Sequence, residues 1–291
     1  MKFLDLHADT PLVLDENVQN SSAIDLVNHP FKIYNQVMAV FLRDNDKNAF
    51  ESYNRRMCLI KNYLSKCGFP LISNSLNNSS GALLSVENAG FLAEDINRIY
   101  TLKNDGVVML SLTWNGDNLL ASGADGEGGI THLGREVISQ MNALGIALDI
   151  SHLSHKAAMD GIWLADRVLA SHSGIYALNP HVRNLKDEAL LALKQKQGIV
   201  GLCFYPHFLG GDDVFERLYK SAEYLISLGL ENNIAFGSDF DGAEMSPLLS
   251  KTAHIPSLFK DFCTRGLKKS TVERIFYQNA IAFFNKMCEN K

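Results

Sequence analysis

Five side chains of metal-binding type close short apolar runs spread along this chain. His7 and Asp9 follow Phe3-Leu4, Glu87 follows Ala82–Val86, His152 follows Ile146–Ser151, and His172 follows Val168–Ser171. A further acid, Asp239, ends the run Ile234–Ser238. Together they offer one His and one Asp for a first cation, two His for a second, and Glu87 as a carboxylate shared by both. Nitrogen and oxygen donors without thiolate favour Zn²⁺, with Mn²⁺, Co²⁺ or Fe²⁺ compatible with the same set. Two such ions about 3.5–4 Å apart form a hydrolytic clamp, and a water between them, its pKa brought to about 7, supplies hydroxide to attack a carbonyl. Asp239 beside them would shuttle a proton or hold a substrate ammonium.

Each residue also has a plainer reading: Asp9 a cap beside a satisfied His7, Glu87 a surface acid or the partner of an arginine, Asp239 a cap or a support for a ligand histidine. Position at the ends of apolar runs argues against these, because a carboxylate buried there is costly unless it is paired or metal-bound. Asp241 reads as stabilising the turn with Gly242. Arg183, in Pro180–Asn184, would suit a substrate carboxylate or equally a surface salt bridge. The other histidines, His29, His132, His155, His181, His207 and His254, read as non-ligands, His207 being nearest to the pattern because it follows a strand.

One architecture gathers so scattered a set. In a parallel (β/α)8 barrel the C-terminal ends of all strands meet on one face. Eight strand candidates are present: Phe3–His7, Val37–Leu42, Ala82–Glu87, Val107–Leu112, Ile146–Ser151, Val168–His172, Ile199–Phe204 and Ile234–Ser238. Most lack strict alternation, as strands buried on both faces do. On a strand His7 and Asp9, two apart, would share a face. Helical patterns lie between, over Phe50–Leu64, Phe91–Lys103, Arg135–Leu144 (with Gly145 as C-cap), Lys186–Gln195 and Val214–Leu228. Ser270–Glu273 has the form of a capping box opening a helix through Phe284. Strand then helix, eight times, predicts a closed barrel of class α/β, one domain over 1–291 with the metal site at the C-terminal face of the strands. Asn17–Lys32 and the Gly-rich Ser122–Gly129 read as loops, the second placed to close over a site.

Composition narrows the function. The 291 residues are 46% hydrophobic and 20% charged with a formal charge of −5, which suits a soluble globular protein and gives no electrostatic footprint for nucleic acid. No run is long enough to span a membrane, and Met1-Lys2 leads straight into the first strand, so the expectation is a cytoplasmic protein without a secretory signal or lipid anchor. Cys58, Cys67, Cys203, Cys263 and Cys288 form no C-x-x-C pair and read as reduced thiols filling core or surface.

The motifs together resemble the renal (membrane) dipeptidase family of zinc dipeptidases. The matching pieces are Asp5–Asp9, Ser85–Gly90, Leu112–Asn115, Gly134-Arg135, Asp149–His152, Ser171–Ser173, Arg183-Asn184 and Gly237–Gly242, in family order over nearly the whole chain. The resemblance implies a binuclear zinc centre with His7 and Asp9 on one ion, His152 and His172 on the other, and Glu87 bridging. It further implies Arg183 on the substrate's C-terminal carboxylate and Asp239 on the free amine and in proton transfer. The substrates would be dipeptides, D-residues at the C-terminal position included, and the protein a homodimer. Two positions depart from the family pattern. Trp114 stands where a His usually helps polarise the scissile carbonyl, and it offers only an indole N–H and a large apolar face to the substrate. Asn88-Ala89 replaces a Gly-Gly pair, so the backbone after Glu87 is less free. Trp114 keeps open a related hydrolase acting on a lactone, an N-acyl amino acid or a β-lactam; a non-catalytic metal-binding barrel is the remaining alternative.

Overall fold

The structure, a computed structural model, describes residues 1–16, 22–72, 76, 79–211 and 213–289. Eight strands, β1 (Lys2–Ala8), β2 (Ile33–Phe41), β3 (Gly81–Glu87), β4 (Val107–Leu110), β5 (Ala147–Asp149), β6 (Val168–Ser173), β7 (Ile199–Leu202) and β8 (Ile234–Phe236), pair in parallel in chain order. β8 returns to β1 through Asp5 opposite Phe236 and closes the barrel. The helices outside it are α1 (Thr10–Asp15), α2 (Ala49–Lys66), α3 (Arg98–Asp105), α4 (His132–Leu144), α5 (His155–Leu164), α6 (Asp187–Gln195), α7 (Pro206–Leu209), α8 (Val214–Ser227), α9 (Ile255–Thr264), α10 (Lys269–Glu273) and α11 (Asn279–Glu289).

The apolar runs form strands because both faces are dry. Leu4, Leu6, Val37, Leu83, Met109, Leu169 and Ile199 pack together inside the barrel, closed from below by Tyr277, Phe283 and Phe284. The intervening residues, such as Phe3, Tyr34, Met38, Leu84 and Val200, pack outward under the helices. Apolar side chains therefore fill the lower barrel, and polar ones are left for the top.

Several boundaries differ from the sequence expectation. β4, β5, β7 and β8 stop two residues short of the expected C-terminal ends, where the chain leaves the ladder to build the mouth. The Phe91–Lys103 pattern is a 3₁₀ turn (Gly90–Ala93) followed by α3. The capping box at Ser270 does not form: α10 begins at Lys269 after Lys268, which makes no side-chain cap, and Thr271 Oγ1 instead donates to Glu231 Oε1 at 2.8 Å. The helix then passes through a π segment (Arg274–Gln278) before α11. Gly145 does cap α4, with φ of 64°. Of the expected loop Asn17–Lys32, residues 17–21 lie outside the described set and the remainder contains no helix or strand. Ser122–Gly129 is a loop, fastened by Gly123 N–H to Asp117 Oδ1 and Gly128 N–H to Ser122 Oγ, at 3.1 and 3.0 Å.

Candidate metal centre and active site

All the expected ligand residues meet at the mouth, but not by simple alternation along each strand. Leu83 and Glu87 share the inner face of β3, as a period of two requires. His7 directly follows the inward Leu6, and His172 stands three residues after the inward Leu169, so strict alternation would send both rings outward. Each lies within a break in register, between Asp5 and Ala8 on β1 and between Ala170 and Ser173 on β6. Such irregularities re-aim side chains. Asp9 lies beyond β1, at the N-cap of α1, and reaches His7 from there.

The resulting cluster is tight and buried. Glu87 Oε2 lies 3.0 Å from His7 Nε2, and Glu87 Oε1 lies 3.1 Å from His152 Nε2. Asp9 Oδ2 is 3.4 Å and Asp239 Oδ1 3.9 Å from His7 Nε2. The Nε2 atoms of His152 and His172 are 2.8 Å apart, and Arg183 Nη2 is 3.0 Å from that of His172. Ligand atoms converge in three groups: His7, Asp9 and Glu87; Glu87, His152 and His172; and His7, His172 and Asp239. None of His29, His132, His155, His181, His207 and His254 belongs to them, although His181 and His207 line the cavity above.

The donor set fits divalent metal. Among the described residues, His7 Nε2, Asp9 Oδ1 and Glu87 Oε2 are buried without a hydrogen-bond partner, an expensive state that a cation relieves. Tautomers point the same way. His152 Nδ1 faces Asn115 Oδ1 at 2.9 Å, an acceptor only, so Nδ1 carries the proton and Nε2 is a bare lone pair. His172 Nδ1–H donates to Ser171 Oγ at 2.7 Å, and that hydroxyl donates to Asp149 Oδ2. Nε2 of His172 is therefore an unprotonated lone pair as well, with Arg183 Nη2 donating to it at 3.0 Å. The lone pair of His152 still faces it across 2.8 Å, a repulsion that a cation held between the rings removes.

Electrostatics reflects the crowding. Burial lowers the pKa of His152, with Arg183 adding to it, and lowers that of His172 strongly, helped by His7 and His152. Burial opposes charge on His7 too, but Asp9 and Glu87 outweigh it and raise its pKa. Burial raises Glu87, yet the neighbouring His152 and His7 hold it well below the usual carboxylate range. Asp9 is pushed up to about 7, by burial and then by the charges of Glu87 and Asp239 against the pull of His7. Burial likewise raises Asp239.

Around the cluster lies an open cavity of about 580 Å³. Arg183, buried and stacked over Phe208 at 5.3 Å, and Asp239 line it with Trp114, whose ring meets Phe41 edge-on at 5.1 Å. Asn88 has φ of +68°, so the backbone after Glu87 does need the left-handed region; Asn tolerates it, and its Nδ2 donates to Leu42 O and Asp44 Oδ1, both at 3.0 Å. Asp241 reaches beyond the turn with Gly242 and ties the loop after β8 to α1 and to Ala23, accepting from Thr10 Oγ1 (2.7 Å) and Ala23 N–H (2.7 Å). A side chain at Gly242 would strike the carboxylate of Asp9. Four further residues shape the site without a clear sequence signal: Asn115, Asp149, Ser171 and Cys203. Asn115, Asp149 and Ser171 lie inside the motifs that carry the family resemblance, but no role follows for them from the sequence. Cys203, read as filler, directs its thiol at Asp239 Oδ2 across 3.7 Å.

A closed parallel barrel with three convergent groups of donor residues at its mouth is built to hold metal. The chain belongs to the membrane dipeptidase family (peptidase family M19), whose family model matches residues 1–291. An uncharacterized protein in the pqqA 5′ region of Klebsiella pneumoniae is 30% identical over 241 residues, 77% of this chain and 86% of that one. Dipeptidase tcpJ of Claviceps purpurea is 33% identical over 187 residues, 60% of this chain and 44% of tcpJ, so the chain spans less than half of that relative. A metallopeptidase from Rhodobacter sphaeroides, crystallised with a phosphinate mimic of L-Ala-D-Ala, superposes with a TM-score of 0.85 at 20% identity over 99% of each chain. The protein is thus a dipeptidase-family metallopeptidase. Among the described residues no helix is long and apolar enough to cross a membrane.

Proposed function

We propose that the chain, as one catalytic unit over 1–291, is a zinc dipeptidase with two ions per protomer. The observation that carries this reading is Glu87 between His7 and His152, one carboxylate oxygen turned to each. His7 and Asp9 would hold one ion, His152 and His172 the other, and Glu87 both; bound there, the pair activates water near neutral pH and polarises the scissile carbonyl. Arg183 would take the dipeptide's carboxylate through the buried Nη1, which has no hydrogen-bond partner among the described residues. Asp239 would hold the free ammonium, accept the proton of the attacking water and return it to the leaving amine. Its burial, which raises its pKa, suits a group that must bind and release a proton. Trp114 would form part of the substrate wall.

D-residues at the C-terminal position belong to this proposal, supported by the ligand of the Rhodobacter structure. So does a cytoplasmic homodimer, which rests on the cysteine content and the family resemblance. To test the activity, purified protein is stripped with chelator, reloaded with zinc and offered L-L and L-D dipeptides. Cleavage restored at two zinc ions per chain is expected; no cleavage of any dipeptide overturns the reading. Trp114 favours one second reading, hydrolysis of a lactone or N-acyl amino acid. Arg183→Ala separates a dipeptidase from a lactonase, because only the dipeptidase loses its free-carboxylate substrates; an N-acyl amino acid also has a carboxylate and is distinguished by lacking the free amine that Asp239 would hold.

A further inference from the structure

Two aromatic walls flank the cavity on opposite sides of the ligand cluster. Trp114, in the loop after β4, stands over Phe41 at the end of β2, ring centroids 5.1 Å apart at 66°, and 6.4 Å from the ring of His152. Across the mouth, after β7, Tyr205 and Phe208 meet edge-on at 5.1 Å, and Phe208 carries the guanidinium of Arg183 on its face. The sides are not equivalent for a bound dipeptide. On the reading above, the residue whose carboxylate Arg183 holds lies beside Tyr205 and Phe208. The Phe41–Trp114 wall is left for the other residue, whose amine Asp239 holds.

Resting on that reading, we propose that Trp114 and Phe41 form the pocket for the first side chain and select dipeptides with a large apolar or aromatic N-terminal residue. Neither ring presents a charged group to that side chain, and contact with them removes apolar surface from water. The exposed carboxylates of Asp125 and Glu244 line the same cavity and repel an acidic first residue. An indole at position 114 thus keeps one N–H donor and brings shape and apolar area.

The experiment compares kcat/KM of the zinc-loaded protein for Phe-Ala, Leu-Ala, Gly-Ala and Asp-Ala with that for Ala-Phe and Ala-Gly. Phe-Ala and Leu-Ala are expected to exceed Gly-Ala by about tenfold or more, the scale on which apolar pockets discriminate. Trp114→Ala should bring that ratio towards one, leave the ratio of Ala-Phe to Ala-Gly in place and keep the zinc content of the wild type; Trp114→Phe should retain most of the preference. Equal rates across first residues in the wild type would overturn the proposal, as would a Trp114→Ala protein that slows every substrate by one factor or shifts the second-position ratio instead. If Trp114→Ala does not fold, Phe41→Leu carries the same comparison. Cleavage without first-position preference removes this inference alone, whereas no dipeptide cleavage removes the dipeptidase reading together with it.

Discussion

Glu87 is flanked by two sets of candidate ligands that are steadied by different means. On the β5–β6 side the rings themselves are held: His152 by Asn115, and His172 by Ser171, which is fixed in turn by Asp149. Asp149 also accepts from the N–H of Ser151 and of Ser171, at 3.0 and 2.9 Å, and so ties both histidine-bearing strands to one carboxylate. On the β1 side, His7 Nδ1 has no hydrogen-bond partner among the described residues. There the main chain is held instead. Asp5 accepts from His7 N–H (3.2 Å) and from Ser238 N–H (2.8 Å) and Oγ–H (2.6 Å), while the His7 carbonyl accepts from Asp239 N–H at 3.2 Å. One side fixes tautomer and ring; the other fixes the backbone that carries His7 and Asp239 together. Hydrogen bonds behind the ligands should therefore matter for metal affinity on the first side, and for the geometry between metal and acid–base group on the second.

Removing what the sides share should have the largest effect. Glu87→Gln keeps the shape but takes away the negative charge that both His7 and His152 face. Removing a carboxylate that both ions would share should cost more than the roughly 10–100-fold lost when a ligand's supporting partner is removed. Metal analysis should show fewer than two ions per chain together with a fall in kcat. Full occupancy with wild-type turnover would mean that the sides do not communicate through this carboxylate. Next comes Asp239→Asn, expected to lower kcat by about 10²–10⁴-fold with metal content unchanged, since its assigned work is proton transfer. Loss of metal instead would move Asp239 into the ligand set with His7 and His172, a grouping that the distances also allow.

The contrast between the sides also shows what a sequence can carry. The eight strands were legible because barrel strands, dry on both faces, appear as apolar runs, and His7, Glu87, His152, His172 and Asp239 stood out as polar residues ending them. Their aim was not legible. His7 and His172 reach the cluster through breaks in register that no local pattern announces. Asn115, Asp149 and Ser171 are ordinary polar residues whose meaning lies wholly in which ring the fold brings beside them. Helix α5 is weakly marked because Gly161 interrupts it; a side chain there would meet Leu148 Cδ2 at 2.7 Å, so close approach to the barrel decides the residue against helix propensity. The Ser270 capping pattern failed because the helix begins earlier, with Lys268 at the N-cap, which leaves Ser270 inside the first turn.

Ser171→Ala sharpens the comparison on the β5–β6 side. It deletes the hydroxyl joining His172 to Asp149 and leaves the imidazole free to change tautomer. Zinc affinity by chelator competition should weaken by about 10–100-fold, the usual effect of removing a ligand's supporting partner. Ser238→Ala on the other side should act differently, lowering kcat more than metal affinity, because it loosens the link between the His7 and Asp239 backbones. If both variants weaken metal alone and equally, the two sides are steadied in the same way.

Asn115→Ala should give the smallest change, although it too removes a partner of a ligand histidine. The difference is access to water. Ser171 and Asp149 are almost fully buried, so nothing replaces the lost hydroxyl, whereas Asn115 is only partly buried and lines the open cavity. Water can occupy the place of its carbonyl and accept from His152 Nδ1–H, nearly as good a partner as the amide. Zinc affinity should then fall by no more than about tenfold, at the lower edge of what such partners contribute. Asn115→Asp provides the complementary test. A carboxylate accepting from the same Nδ1–H makes the imidazole a stronger donor and should tighten zinc binding on this side, most clearly at low salt, where the added charge is least screened. A loss from Asn115→Ala as large as that from Ser171→Ala would show that the mouth excludes water even at its open edge.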